Sequence, residues 1–290
     1  MSRNWQFKGR SVPTDERTLI MGVLNVTPDS FSDGGQYFSV DQAIAHAEQM
    51  IAEGADFIDV GGESTRPGGE PVSIDEEIKR VIPVVERLVA VNDIPVSVDT
   101  SKSEVARAAL DAGASIINDI SALRFDFYIA DAVARAGAGL VLMHSRGTPA
   151  TMHRLQPVAD IMMEVTNSLH SSVVMAERRG VQREAIVIDP GIGFGKSFEQ
   201  NLEIIAKLDE IIARFSDLPL LIGTSKKSFI GRILSDETDE PALVSDRLFG
   251  TMASITAAIL RGASIVRVHD VKAAVETARV ADAIRQASQT

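Results

Sequence analysis

The chain contains no cysteine. That excludes disulfides, thiolate metal sites and a cysteine nucleophile, and it fits a reducing compartment. Positive charge is in deficit: the formal net charge is −11. No long basic run offsets it, which argues against nucleic acid as a partner. No apolar run approaches the ~20 residues needed to cross a bilayer, so no membrane association is expected. Residues 1–17 are polar and carry no apolar stretch of the secretory kind. The expected location is the cytoplasm. No break in composition marks a linker among the 290 residues, so the chain reads as a single folded domain with a short N-terminal extension.

Two familiar site signatures are also missing. There is no His-Glu-x-x-His, and the five histidines are scattered, so no zinc site is indicated. His46 and His170 read as helix-surface residues, whereas His144 ends an apolar run and its role stays open. The run Gly191-Ile192-Gly193-Phe194-Gly195-Lys196-Ser197 has the look of a phosphate-binding loop. Such a loop requires a further glycine five positions before Gly195, and that position is Pro190.

What is present is a repeated pattern. Eight short runs rich in Val, Ile and Leu occupy 18–26, 55–60, 94–98, 115–120, 138–143, 185–188, 219–222 and 264–268. They read as parallel strands buried on both faces. Helical periodicity lies between them. In 41–53, Ala43, Ile44, Ala47, Met50 and Ile51 fall on one face. Ser101 is expected to cap a helix over 102–111 and to form a capping box with Glu104. The span 157–180 is the longest helix candidate. Gly54, Gly113 and Gly262 each sit where a helix ends before a strand. A strand followed by a helix, eight times over, predicts an α/β fold of the (β/α)8 TIM barrel type over 18–290. Residues 1–17 form the extension, expected as a hairpin under the barrel.

In such a barrel the C-terminal ends of the strands form the active face. Asp59, Asp99, Asn118 and Asp189 all fall near strand ends. One such residue would read as a helix cap. Four converging on one mouth call for a cationic or hydrogen-bond-donating ligand, because clustered carboxylates repel one another. An aromatic heterocycle with adjacent N–H and amino donors suits them. The first loop, 25–35, exceeds the ~2–6 residues usual for a βα connection and ends in a glycine pair, as a lid would. The second, 61–69, is glycine-rich and carries Arg66. Together with Arg267 and His269 at the eighth strand, it suggests an anion pocket.

These segments resemble the dihydropteroate synthase family of the bacterial type. The most specific are NVTPDSFSDGG at 25–35 and DVGGESTRPG at 59–68, and SVDTSK, INDIS, DPGIGFGK and RVHDV follow at 97–102, 117–121, 189–196 and 267–271. The resemblance implies a transferase of folate biosynthesis and a sulfonamide target. Such an enzyme condenses 6-hydroxymethyl-7,8-dihydropterin diphosphate with p-aminobenzoate, releasing pyrophosphate and 7,8-dihydropteroate through an SN1-like pterin cation. It implies that Asp99, Asn118, Asp189 and Lys227 hold the pterin. Asn25 would ligate Mg²⁺, and Asn25, Arg66, Arg267 and His269 would bind the diphosphate. Phe31, Thr65, Arg66, Pro67, Phe194 and Ser228 would line the p-aminobenzoate site. Asp99, Asp189, Lys227 and Arg66 would carry the catalysis. Where the family often has Ser-Arg-Lys-Ser, this chain has Ser225-Lys226-Lys227-Ser228, so the planar fork of arginine is lost at Lys226. A pterin-dependent methyltransferase would share the pterin grip but has no use for the anion pocket, and a silent paralogue would be expected to lose lid or anion residues. The segment 249–260 is apolar nearly all round, which points to pairing as a homodimer.

Overall fold

The structure is a computed structural model that describes residues 3–27, 40–64, 72–235 and 240–288. It opens with an antiparallel hairpin, β1 (Asn4–Phe7) and β2 (Arg10–Pro13). Eight parallel strands follow: β3 (Leu19–Asn25), β4 (Phe57–Gly61), β5 (Val96–Asp99), β6 (Ile116–Asp119), β7 (Gly139–Met143), β8 (Ile186–Asp189), β9 (Leu221–Ile222) and β10 (Ile265–Val268). Each pairs with its sequence neighbour, and β10 also pairs with β3. Between β8 and β9 the ladder shrinks to one bridge, Ile188 to Leu220, with Ile188 N–H donating to Pro219 O at 3.1 Å. That bridge closes the ring, and the expected TIM barrel is the fold. The seventh strand is shorter than its apolar run suggests, because Pro219 has no N–H to give the ladder.

Helices cover the outside: α1 (Val40–Ala52), α2 (Ile74–Val91), α3 (Ser103–Asp111), α4 (Tyr128–Ala136), α5 (Ile161–Arg178), α6 (Phe198–Ala206), α7 (Leu208–Arg214), α8 (Ser228–Ile233), α9 (Leu248–Leu260) and α10 (Val271–Ala287). The larger core lies between these helices and the outward faces of the strands, as with Ile58, Val98, Leu140 and Val266. Gly54, Gly113 and Gly262 adopt φ of 103°, 107° and 100°, the left-handed conformation that ends a helix and that side chains resist.

Two local expectations fail. Ser101 does not cap α3, which starts at Ser103 without a side-chain cap of its own. Instead Asp126, from the turn before α4, accepts from Ser103 N–H at 2.8 Å. A carboxylate from the next unit takes the place of the local hydroxyl, and Glu104 makes no capping box. The helix in 157–180 starts at Ile161, where Asp160 accepts from Met163 N–H at 2.8 Å. At 18 residues it equals α2 rather than exceeding it.

A second apolar cluster fills the lower barrel, where inward-facing Met21, Phe57, Ile116, Val141, Val187, Leu221 and Ile265 meet Trp5 and Phe7 of the hairpin. Trp5 is fully buried. Its ring lies 5.3 Å from that of Phe57, and its indole N–H donates to Ala185 O at 2.8 Å. The hairpin is thus a plug on the face opposite the strand ends. Trp5→Ala is expected to cost ~3–5 kcal/mol, the usual range for removing a large buried aromatic. Urea unfolding measures it, and a cost below ~1 kcal/mol would show that the barrel closes without the plug.

Candidate active site

Parallel register sets the height of each side chain at the mouth. Asn25 is level with Gly61, Gly61 with Asp99, and Asp99 with Asn118. Asp189 is level with Met143 on the far side. Alternation along β4 and β5 turns Asp59 and Asp99 inward while Val60 and Val98 join the outer core.

One cation organises this wall. Arg267 reaches across from β10, donating from Nε to Asp59 Oδ2 at 2.6 Å and from Nη2 to Asp99 Oδ2 at 2.9 Å. Asn118 Nδ2 donates to the same Asp59 oxygen at 3.1 Å. Asp59 Oδ1 and Asn118 Oδ1 are buried and have no hydrogen-bond partner among the described residues. Unpaired buried acceptors are costly, and both would be satisfied by a ligand bearing N–H donors. Two carboxylates share one guanidinium, so neither is fully compensated. Burial pushes Asp99 up to about 7; Arg267 opposes the shift and Asp59 adds to it. Burial works against the Arg267 charge, yet Asp59 and Asp99 hold its proton above the usual arginine range.

The opposite wall is built from the loop after β8. Burial pushes Asp189 up to about 6, against the bond it accepts from Gly191 N–H at 2.7 Å and the charge of Lys227. Lys227 stands with Nζ 4.1 Å from the centre of the Phe194 ring. Burial, then Arg267, pulls it down to about 8. The mouth therefore holds buried acids and bases close to neutrality, where a bound heterocycle can shift their charge.

An anion corner adjoins it. Ser225 Oγ lies 2.9 Å from His269 Nδ1 and accepts from His269 N–H at 3.3 Å. Lys226 pairs with Asp270 at 3.0 Å. Its backbone has φ of 58° and is pinned by Thr251 Oγ1 and by an Arg247 guanidinium N–H. A non-glycine residue held there is strained. Ser228 is the first residue of α8 and is exposed. Phe31, Thr65, Arg66 and Pro67 lie outside the described residues, as does most of both long loops.

His144 has a structural setting. Burial, with Lys196, Arg124 and Arg146 nearby, pushes its imidazole down to about 2, so it stays neutral. Two contributors escape sequence reasoning, and a third is only half legible. Asp59 reads as one of the strand-end acids converging on the mouth, but nothing in the sequence shows that it anchors Arg267. Lys102 binds Glu63 at 2.6 Å, Glu77 at 2.5 Å and Val72 O at 2.9 Å. The signal was there in Glu77, a buried acid four residues before buried Val81 on the apolar face of α2. Lys196 sits at the centre of its loop, where burial pulls it down to about 7 against the charge of Asp189.

Comparisons with known proteins identify the family and match the fold. A family model described as pterin binding enzyme matches residues 21–269. The chain is 47% identical to the dihydropteroate synthase of Synechocystis sp. over 269 residues, which is 93% of this chain and 91% of that protein. The Yersinia pestis dihydropteroate synthase, solved as a sulfonamide drug complex, superposes with a TM-score of 0.89 at 40% identity, covering 98% of this chain and 99% of that one. The Xanthomonas albilineans enzyme, solved with 4-aminobenzoic acid, gives 0.87 at 42% identity over 100% of this chain and 99% of that one.

Proposed function

Since the chain belongs to the pterin-binding enzyme family, as a dihydropteroate synthase, we propose that its barrel mouth joins 6-hydroxymethyl-7,8-dihydropterin diphosphate to p-aminobenzoate. The observation that carries this reading is the shared guanidinium of Arg267, bonded at once to Asp59 and Asp99. It puts an anion-binding cation directly beside acceptors suited to a donor-rich heterocycle. The reaction is a transfer in folate biosynthesis.

The pterin lies between the two walls. Asp99, Asn118 and Asp189 accept from its ring and amino donors, while Lys227 approaches it over Phe194. Arg267, His269 and Arg66 take the diphosphate and neutralise charge as the C–O bond breaks. The departing pyrophosphate leaves an SN1-like cation spread over the pterin, which Asp99 and Asp189 stabilise as carboxylates. The amine of p-aminobenzoate is neutral at pH 7 and attacks without a strong base. By the family resemblance, Phe31, Thr65 and Pro67 would line its approach together with Phe194 and Ser228.

Mg²⁺ fits the donor set. A Cβ on Gly61 would stand 3.7 Å from both Asn25 Oδ1 and Asp99 Cβ, so the glycine keeps open the space beside the Asn25 amide oxygen. Among the described residues no group of His, Cys, Asp or Glu forms a metal cage, and magnesium typically takes one or two protein oxygens with phosphate and water. Bound there, it would supply a Lewis acid to the diphosphate. Calorimetric titration with the dihydropterin diphosphate is expected to show tight binding that weakens at least tenfold when Mg²⁺ is chelated. No binding in either condition would contradict the reading, and metal-independent binding would remove the Asn25 site.

The active form is a homodimer in this reading. One face of α9 is buried through Thr251, Ile255, Ala258 and Ile259, but Phe249 is 83% exposed beside exposed Leu243 and Val244. Sedimentation at micromolar concentration should give twice the chain mass, and Phe249→Asp should give the single mass. No helix among the described residues is long and apolar enough to cross a membrane. A cysteine-free chain suits the reducing cytoplasm.

A further inference from the structure

The glycine-rich run 191–196 has the composition of an anion loop, yet its geometry is inverted. Its lysine does not point outward to a ligand. Lys196 Nζ turns inward and donates to Gly191 O at 2.7 Å, His144 O at 3.2 Å and Phe194 O at 3.2 Å. An ammonium has three protons, and all three are used. Two of the acceptors belong to its own loop and the third to the end of β7, so the ammonium ties the two loops together.

The glycines serve this close packing. Gly191, Gly193 and Gly195 have φ of 69°, 85° and 71°. A Cβ on Gly191 would collide with His144 O, and one on Gly195 would come within 2.5 Å of Arg146 O. Arg146 adds a bond to Gly195 O at 3.0 Å, and Asn201 Oδ1 accepts from Gly193 N–H at 2.6 Å. The loop is thus wound around its own cation. What it presents to the mouth is the Gly191 N–H on Asp189 and the Phe194 ring under Lys227.

We propose that Lys196 is a positioning residue for pterin binding: its ammonium, held by the carbonyls of His144, Gly191 and Phe194, fixes the loop that sets Asp189 and Lys227. It touches no reacting atom. The inference rests on the proposed pterin site but is tested by binding, separately from turnover.

The probe is 6-hydroxymethylpterin, titrated calorimetrically into the full-length protein. Lys196→Met keeps the chain length and removes the charge, and it should weaken pterin binding at least tenfold while circular dichroism and the monomer–dimer state stay as in the wild type. In Lys196→Ala, 1-propylammonium supplies the missing Cγ-to-Nζ atoms and should recover at least threefold of the loss in a saturable way. N,N,N-trimethylpropylammonium has no N–H to donate and should recover none. A stability-only role would leave pterin affinity within twofold in folded variants, and that result overturns the proposal, as would equal rescue by the two amines. Should neither variant fold, the wild type still decides. Its ammonium ¹H–¹⁵N spectrum should contain a slowly exchanging lysine signal that shifts on adding pterin, and absence of any protected signal overturns the proposal. A wild type that binds no pterin at all would instead defeat the proposed function.

Discussion

Asp99→Asn is expected to lower turnover by roughly 10²–10³, about 3–4 kcal/mol of transition-state stabilisation, with little loss of fold. The amide keeps an acceptor for Arg267 Nη2, which donates to Asp99 at 2.9 Å, but it cannot offset a cation on the pterin. Stability should move the other way. Asp99 is pushed from 3.8 up to about 7, so between those values the folded state binds more protons than the unfolded chain. Stability from this group is therefore present at low pH and is lost as pH rises through about 7. The variant lacks that titration. Its thermal midpoint should equal or exceed the wild type at pH 8 and lose the advantage at pH 5. A drop in turnover under threefold, with the fold intact, would remove Asp99 from the chemistry. A midpoint lowered at pH 8 would show that the carboxylate is retained for stability.

Arg267→Met should be the more damaging change, because it harms both fold and function. The guanidinium is the cation hydrogen-bonded to fully buried Asp59, at 2.6 Å. Removing one partner of a buried pair costs roughly 3–5 kcal/mol, since the other charge is stranded. The thermal midpoint at pH 8 is expected to fall by about 5–8 °C, on an unfolding entropy of about 2.1 cal/mol/K per residue. The loss should shrink toward pH 5, below the raised value of about 7 at which Asp99 takes up a proton. Affinity for the dihydropterin diphosphate should fall at least a hundredfold. A pH-independent loss below ~1 kcal/mol would mean that Asp59 and Asp99 are compensated elsewhere.

Much of this fold is legible because parallel strands must be apolar on both faces. Eight such runs separated by helical spacing admit few other architectures. The site is legible for a related reason: one Asp at a strand end can serve as a cap, but Asp59, Asp99, Asn118 and Asp189 at four strand ends of one barrel meet at a single mouth. The misses arise where the partner is remote in sequence. Nothing near Ser103 announces Asp126 as its cap, and nothing near Asp59 announces Arg267, 208 positions later. Lys196 was illegible for a different reason. Pro190 already excludes a phosphate loop, but the acceptors that hold the lysine are backbone carbonyls, which every residue carries and no sequence pattern distinguishes. Phe31, Thr65 and Pro67 rest on the family resemblance alone, and Arg66 on that and on its glycine-rich loop.

In the proposed reaction this mouth ionises the dihydropterin diphosphate and delivers it to an aromatic amine. Pyrophosphate release, followed with Mg²⁺ in the presence and absence of p-aminobenzoate, tests it most directly. A synthase gives release that depends on p-aminobenzoate and is matched mole for mole by 7,8-dihydropteroate. Binding of the diphosphate without any release in the presence of both substrates would contradict it and leave a pterin-binding protein without turnover.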